Sequence, residues 1–325
     1  MRSILVVAPN WIGDALLAQP LFARLREKLG AIRIDVLAPP WVAPVLRRMP
    51  EVDAVIEAPL RHGALELKAR WRLGRGLRGR GYGQAIVLPN SWKSALVPFF
   101  ADIPVRSGYV GESRYGLLNL LYEAPKTRDG MVLHYARLSE RPGVAPAEPL
   151  PEPRLRLDAA AARATAARFG LPARYAAFCP GAEYGPAKRW PYFRELAEDH
   201  ALPVVLVGSA SDRAACEGIR GTDLAGRTTL DEAIDILACA EYVVSNDSGL
   251  MHVAAALGRP LVALYGSSSP EHTPPRSTLA RVLWLRPECS PCFERTCPLG
   301  HFRCMRELAP ARVRAEIELL TSPPQ

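Results

Sequence analysis

Three stretches of this 325-residue chain place small, polar and charged side chains at spacings that can do chemistry. The first is PNWIGDALLAQP, residues 9–20, where Gly13 and Asp14 stand between an apolar run and a helical pattern. An Asp there is either a helix cap whose charge suits the dipole or a general base facing a ligand. The turn lacks the G-x-G-x-x-G spacing of dinucleotide-binding folds. The second stretch is FCPGAEYGPAKRWP, residues 178–191. A strand ends at Gly181, a polar loop follows, and Pro191 suits a first helical turn because it needs no hydrogen-bond partner there. Lys188 just ahead of that turn, beside free N–H groups, would make an anion site, although KRW is also a common surface pattern. The third is VVSNDSGLMHVAAALGRPLVALYG, residues 243–266. Asp247 or Ser248 can cap a helix beginning at Gly249, glycine lets a ligand approach the backbone, and His252 lies on the first turn. Diphosphate binding at a helix N-terminus is the chemistry that suits such a strand end. The plainer alternative is a capped helix with a core histidine.

Two clusters are less specific. RHGALELKARWRLGRGLRGRG, residues 61–81, carries Arg61, Lys68, Arg70, Arg72 and Arg75 among its seven Lys and Arg. It reads as a solvated basic helix and loop, or as a site for a phosphorylated or carboxylated acceptor or an anionic bilayer. Cys289, Cys292, Cys297 and Cys304, with His301 between the last two, approach zinc-ligand spacing without matching a standard ribbon. Reduced thiols packing an irregular loop are the stronger expectation there, with no metal.

Those residues need strand ends to carry them. Strands are expected at 3–9, 32–39, 52–59, 85–89 and near 103–109, with helices at 14–30, 42–49 and 94–101 between them. The pattern resumes with a helix at 158–169, a strand at 175–181, a helix after Trp190 and a strand at 202–209. Helices at 212–219 and 230–240, a strand at 241–247, a helix at 248–258 and a strand at 260–266 complete it. Strands alternating with helices imply right-handed βαβ units and parallel sheets. Residues 141–153 hold five prolines and read as a semi-rigid linker. The expected domains are therefore 1–153 and 154–325, and ligands of such sheets bind at the C-terminal ends of the strands.

Bulk composition excludes other classes. With 49% hydrophobic and 23% charged residues the chain is an ordinary globular one, not disordered or fibrous. No apolar run reaches the roughly 18–20 residues that span a bilayer, and ILVVA near the start is too short for a signal-peptide core. A cytoplasmic protein with reduced cysteines is expected. The net charge of +8 divides into +9 over residues 1–157 and −1 over 158–325, so a polyanionic partner is expected for the first half.

In combination, NWIGDALLAQP, PGAEYGPAKRWP and NDSGLMHVAAALGRPLVALYG resemble the ADP-heptose:lipopolysaccharide heptosyltransferase family over nearly the whole chain. ECSPCFERTCPLGHFRCM is similar to its type II branch. The resemblance implies an α/β GT-B fold, with two Rossmann-like parallel-sheet domains facing across a cleft. It implies an inverting transfer of heptose from ADP-L-glycero-D-manno-heptose to a Kdo–lipid A inner core, adding the second heptose, without a cofactor. The acceptor belongs to the N-terminal domain and the ADP-sugar to the C-terminal one, and a peripheral contact with the inner face of the inner membrane fits such an acceptor.

Carried over by motif, Asp14 is the base and Lys188 the phosphate-binding lysine. Asp247, Ser248, Gly249 and His252 surround the diphosphate and heptose, with Gly181 also on the donor. Asp212 holds the ribose, and Thr228 lies near the adenine. Glu183 and Tyr184 depart from the family, whose members can carry hydroxyl residues there. No D-x-D pair is present, so protein charge is expected in place of a metal. Rival readings are transfer to a different core acceptor, a nucleotide-sugar epimerase, and a basic lipopolysaccharide- or nucleic-acid-binding protein. The last is disfavoured because the basic stretch has few interleaved aromatics and no reading motif.

Overall fold

The first strand, β1 (Ser3–Val7), is buried along its whole length, as a strand covered on both faces must be. In this computed structural model, which describes residues 3–61, 63–124, 130–198 and 200–322, the first unit continues as a doubly wound α/β domain. After β1 come α1 (Ile12–Leu17), α2 (Gln19–Leu29), β2 (Arg33–Ala38), α3 (Ala43–Arg47), β3 (Ala54–Glu57) and α4 (Leu67–Leu77). Then follow β4 (Gln84–Val87), α5 (Leu96–Phe100), β5 (Val105–Tyr109), β6 (Leu120–Tyr122) and α6 (Met131–Ala136). The strands pair in parallel in the order β3-β2-β1-β4-β5-β6. Chain direction across the sheet reverses between β1 and β4, so the loops leaving their C-terminal ends part and open a crevice.

The chain divides into two compact units between Pro153 and Arg154. The second unit comprises α7 (Ala159–Arg168), β7 (Ala176–Cys179), α8 (Phe193–Glu198), β8 (Val204–Leu206), α9 (Arg213–Cys216), β9 (Thr222–Asp223) and α10 (Leu230–Cys239). It ends with β10 (Tyr242–Asn246), α11 (Gly249–Ala256), β11 (Leu261–Tyr265), β12 (Ala280–Trp284), α12 (Arg303–Arg306) and α13 (Pro310–Thr321). Its parallel sheet runs β12-β11-β10-β7-β8-β9, with the reversal between β7 and β10. Each unit has its own core: Leu5, Val7, Ala85 and Val87 with Val97 in the first, and Phe178, Val244, Leu264 and Phe193 in the second.

Local chemistry sets several helix starts. Asp158 caps α7 by accepting from the N–H groups of Ala160 and Ala161. Thr229 and Glu232 cap α10 reciprocally, each side chain accepting from the other's backbone N–H. The single helix expected over 14–30 is instead two. Pro20 has no N–H, and its ring would collide with the carbonyl of Leu16, so the chain breaks at Ala18 before α2. The helix expected directly after Trp190 starts at Phe193, because residues 186–188 first take a 3-10 turn.

The sequence pattern does not announce β6, α6, β9, β12, α12 or α13. Three of these, β6, β9 and β12, lie at sheet edges, where burial on both faces is lost and the apolar signature with it. α13 had a readable signal in Pro310 at its start and buried Val313 and Ile317 four residues apart. Among the described residues no helix is long and apolar enough to cross a membrane.

Candidate active site

All five residues of β10 are buried, and the strand delivers Asn246, Asp247 and Ser248 to the switch point of the second sheet. Asn246 ties the surrounding loops together: its Nδ2 donates to Pro180 O at 2.7 Å and its Oδ1 accepts from Trp190 N at 3.1 Å. That bond brings the loop after β7 alongside the end of β10. Lys188 Nζ thereby reaches Asp247 Oδ2 at 2.6 Å, with only 13% and 3% of the two side chains exposed. Ser268 Oγ donates to the same oxygen, so Asp247 is doubly held on one side. His252 Nε2 lies 3.9 Å from Asp247 Oδ1. Burial, opposed by the Asp247 charge and reinforced by Lys188, pushes the His252 pKa down to about 4, so its ring is neutral at pH 7.

Ser248 occupies the cap position of α11, yet its side chain makes no cap bond; its Oγ lies 3.3 Å from Ser245 Oγ. The first-turn N–H groups of this eight-residue helix are therefore not capped by the Ser248 side chain. Next to this, Gly181 packs so tightly against Asp212 that a Cβ would overlap the carboxyl carbon. Asp212 is 8% exposed; its Oδ2 accepts from Ser209 N at 2.9 Å and from Ser209 Oγ at 2.7 Å, while its buried Oδ1 has no partner. Ser211 instead reaches outward to Glu183 Oε2 at 3.0 Å, linking the loops after β7 and β8. Thr228 is half-buried immediately before the Thr229 cap.

In the first unit, Asp14 is the third residue of α1, with Trp11 at the cap position, so Asp14 does not cap the helix. Its carboxylate is half-buried and near Tyr135, whose hydroxyl is pushed well above its ordinary range by burial and then by the Asp14 charge. At the switch point of this sheet a cavity of about 300 Å³ is lined by Asn10 after β1 and by Asn90, Ser91 and Lys93 after β4, with Arg61 on its rim. The basic helix α4 buries Arg70, Gly74 and Leu77 on one side and exposes Lys68, Arg72 and Arg75 on the other. Arg70 thus differs from its neighbours. Its guanidinium donates to the carbonyls of Leu65 at 2.6 Å, Lys93 at 3.2 Å and Ala64 at 3.4 Å, and burial lowers its pKa. Exposed Arg61 folds back on Glu66 at 3.2 Å.

The family model of glycosyltransferase family 9 (heptosyltransferase) matches residues 70–303. The chain belongs to this family. It is 44% identical to the lipopolysaccharide heptosyltransferase 2 of Escherichia coli over 340 residues, which covers 98% of each chain. It is 45% identical to the lipooligosaccharide heptosyltransferase 2 of Haemophilus influenzae over 307 residues, 87% of this chain and 88% of that one. The solved structure of the E. coli ADP-heptose lps heptosyltransferase II superimposes with a TM-score of 0.87 at 41% identity, over 98% of each chain. The fold of this heptosyltransferase is accordingly the GT-B fold, with two Rossmann-like units.

Of the residues singled out by motif, the structure brings Lys188, Asp247, Ser248, Gly249 and His252 together at one strand end. Gly181 and Asp212 stand beside them but engage each other and Ser209. Four contributors were given no role by the motifs of this heptosyltransferase. Asn246 was visible beside Asp247 but has no signature as a clamp. Ser268 is one of three buried serines in SSS after β11. Arg295 and Phe293, from the cysteine-rich segment, reach the loop of Tyr184: Tyr184 donates its hydroxyl to Phe293 O, and Ala187 N donates to Arg295 O at 3.0 Å. All seven cysteines are free thiols, and among the described residues no three His, Cys, Asp or Glu stand where they could hold a metal. Cys297 Sγ instead accepts a backbone N–H from Phe302 at 3.4 Å.

Proposed function

We infer that this heptosyltransferase adds the second heptose of the lipopolysaccharide inner core. The observation that carries this is the 44% identity to a lipopolysaccharide heptosyltransferase 2 along 98% of both chains. The donor is ADP-L-glycero-D-manno-heptose and the acceptor the heptosyl-Kdo core on lipid A; no cofactor is required. The enzyme works on the cytoplasmic side, with peripheral contact to the inner membrane through its basic N-terminal unit.

The chemistry assigns a role to each residue. The acceptor oxygen attacks the anomeric carbon from the side opposite the diphosphate; the new C–O bond forms as the bond to the diphosphate oxygen breaks, and the configuration inverts. Asp14 takes the acceptor proton. Such base catalysis supplies typically 10²–10⁴-fold. Lys188 and the uncapped first turn of α11 stabilise the charge that collects on the departing ADP, which is usually the largest electrostatic contribution. Asp247 and Ser268 hold Lys188 in place until the diphosphate arrives, and neutral His252 donates a hydrogen bond to the donor. Gly181 keeps the backbone close to the donor, while Asp212 and Thr228 face its ribose and adenine. Arg61, Lys68, Arg72 and Arg75 attract the phosphates and carboxylates of the acceptor, and Arg70 shapes the cavity that it lines together with Arg61.

The test is transfer from ADP-heptose to cores carrying no heptose or one heptose, read by mass spectrometry. Addition only to the one-heptose core is expected. Addition to the heptose-free core would reassign the enzyme to the first heptose, and addition to neither would refute the reading.

A further inference from the structure

The cysteine-rich segment of residues 289–304 has no place in the roles above, yet it is bonded to two loops at the donor strand ends. Ser290 Oγ donates to Gly266 O at 2.7 Å, and Phe293 N donates to Ser267 O at 2.7 Å, which fastens it to the loop after β11. The bonds from Tyr184 Oη and Ala187 N fasten it to the loop after β7, the loop that carries Lys188. The backbones approach so closely that a Cβ at Gly185, whose φ is +147°, would collide with Arg295 O. Phe293 adopts a left-handed φ of +57°, a conformation disfavoured for an aromatic residue and held here by its bonds on both sides.

This geometry puts the Arg295 guanidinium over the ring of Tyr184, 5.2 Å from its centroid. Lys188 Nζ lies 4.8 Å from the centroid of that same ring. The two cations differ in one respect. Lys188 is already neutralised by Asp247 at 2.6 Å, whereas Arg295 is exposed and, among the described residues, forms no ion pair. Arg189, beside Lys188 on the same loop, is half-buried and turns its guanidinium to Ala182 O at 3.4 Å, so the exposed cation left over at this strand end is Arg295. A guanidinium can bind phosphate oxygens in a two-pronged fashion that an ammonium cannot.

We propose that Arg295 is a second diphosphate-binding cation of the donor site, delivered to it by the cysteine-rich segment. The proposal rests on the donor reading above. ADP-heptose carries two negative charges on its diphosphate, and ADP gains a third as the sugar–oxygen bond breaks. Arg295 meets that added charge, so it acts on turnover as well as on donor binding.

The experiment compares wild type with Arg295→Gln and Arg295→Lys in the full chain, measuring affinity for ADP, AMP and adenosine together with steady-state transfer. Tyr184→Phe keeps the ring while cutting the bond to Phe293 O, and so reports on packing alone. The expected result is a tenfold or greater loss of ADP affinity in Arg295→Gln, little change for adenosine, partial recovery in Arg295→Lys, and an unchanged acceptor KM. Equal losses for ADP and adenosine, or no loss for either, overturn the proposal even if wild type transfers heptose normally. A wild type that transfers nothing but loses ADP selectively on Arg295→Gln would leave this site standing and refute the transferase reading instead.

Discussion

Lys188 Nζ donates to Asp247 Oδ2 at 2.6 Å, joining the loops after β7 and β10 across 59 residues of sequence. Both side chains are largely buried, so removing one leaves the other's charge without compensation. Lys188→Met should therefore lose on the order of 3–5 kcal/mol of stability as well as nearly all transfer. The double variant Lys188→Met/Asp247→Asn should regain much of the stability and none of the activity. Denaturant melts set beside turnover check this; recovery of both together would mean that Lys188 serves only the fold.

Asp14 stands inside the first turn of α1 instead of capping it, so its substitution need not disturb the helix start. Asp14→Asn should lower kcat by about 10²–10⁴-fold while ADP affinity changes less than twofold. Isothermal titration and single-turnover rates separate the two. A variant that keeps most of its turnover removes Asp14 from the role of base.

The basic helix α4 makes two different predictions from one stretch of sequence. Charge reversal at exposed Arg72 and Arg75 should raise the acceptor KM several-fold, leave ADP binding alone and weaken with added salt. Arg70→Ala should instead destabilise the unit, because three carbonyls lose a charged donor. Equal effects of the Arg72 and Arg75 reversals on ADP and on acceptor would contradict an acceptor role.

His252 predicts an acid dependence. Its pKa is about 4 in the fold against an ordinary value near 6.5. Between those two values the unfolded chain binds the extra proton, so stability rises with pH through the window and levels off above it. Lowering the pH from 7 toward 4 is thus expected to cost on the order of 3 kcal/mol from this group. His252→Gln should flatten that part of the stability curve in urea titrations from pH 4 to pH 8; an unchanged slope would exclude His252 as its source.

Much of the donor site was legible in the sequence because its pieces are local. NDSG followed by a helical pattern announces a strand end and a helix start within four residues, and backbone preferences act over that range. The alternation of apolar runs with helical stretches likewise determined parallel sheets, since a βαβ unit has few other ways to bury both faces. Sequence motifs could not distinguish Arg70 from Arg72, as helical phase against α5 decides which guanidinium turns inward. Nor could they show that Arg295 and Lys188 share one aromatic ring, an arrangement fixed by hydrogen bonds from Tyr184 and Ala187 to carbonyls more than a hundred positions further along the chain. Those relationships belong to the tertiary structure alone: side-chain charges interact through distances in space, and only packing sets those distances.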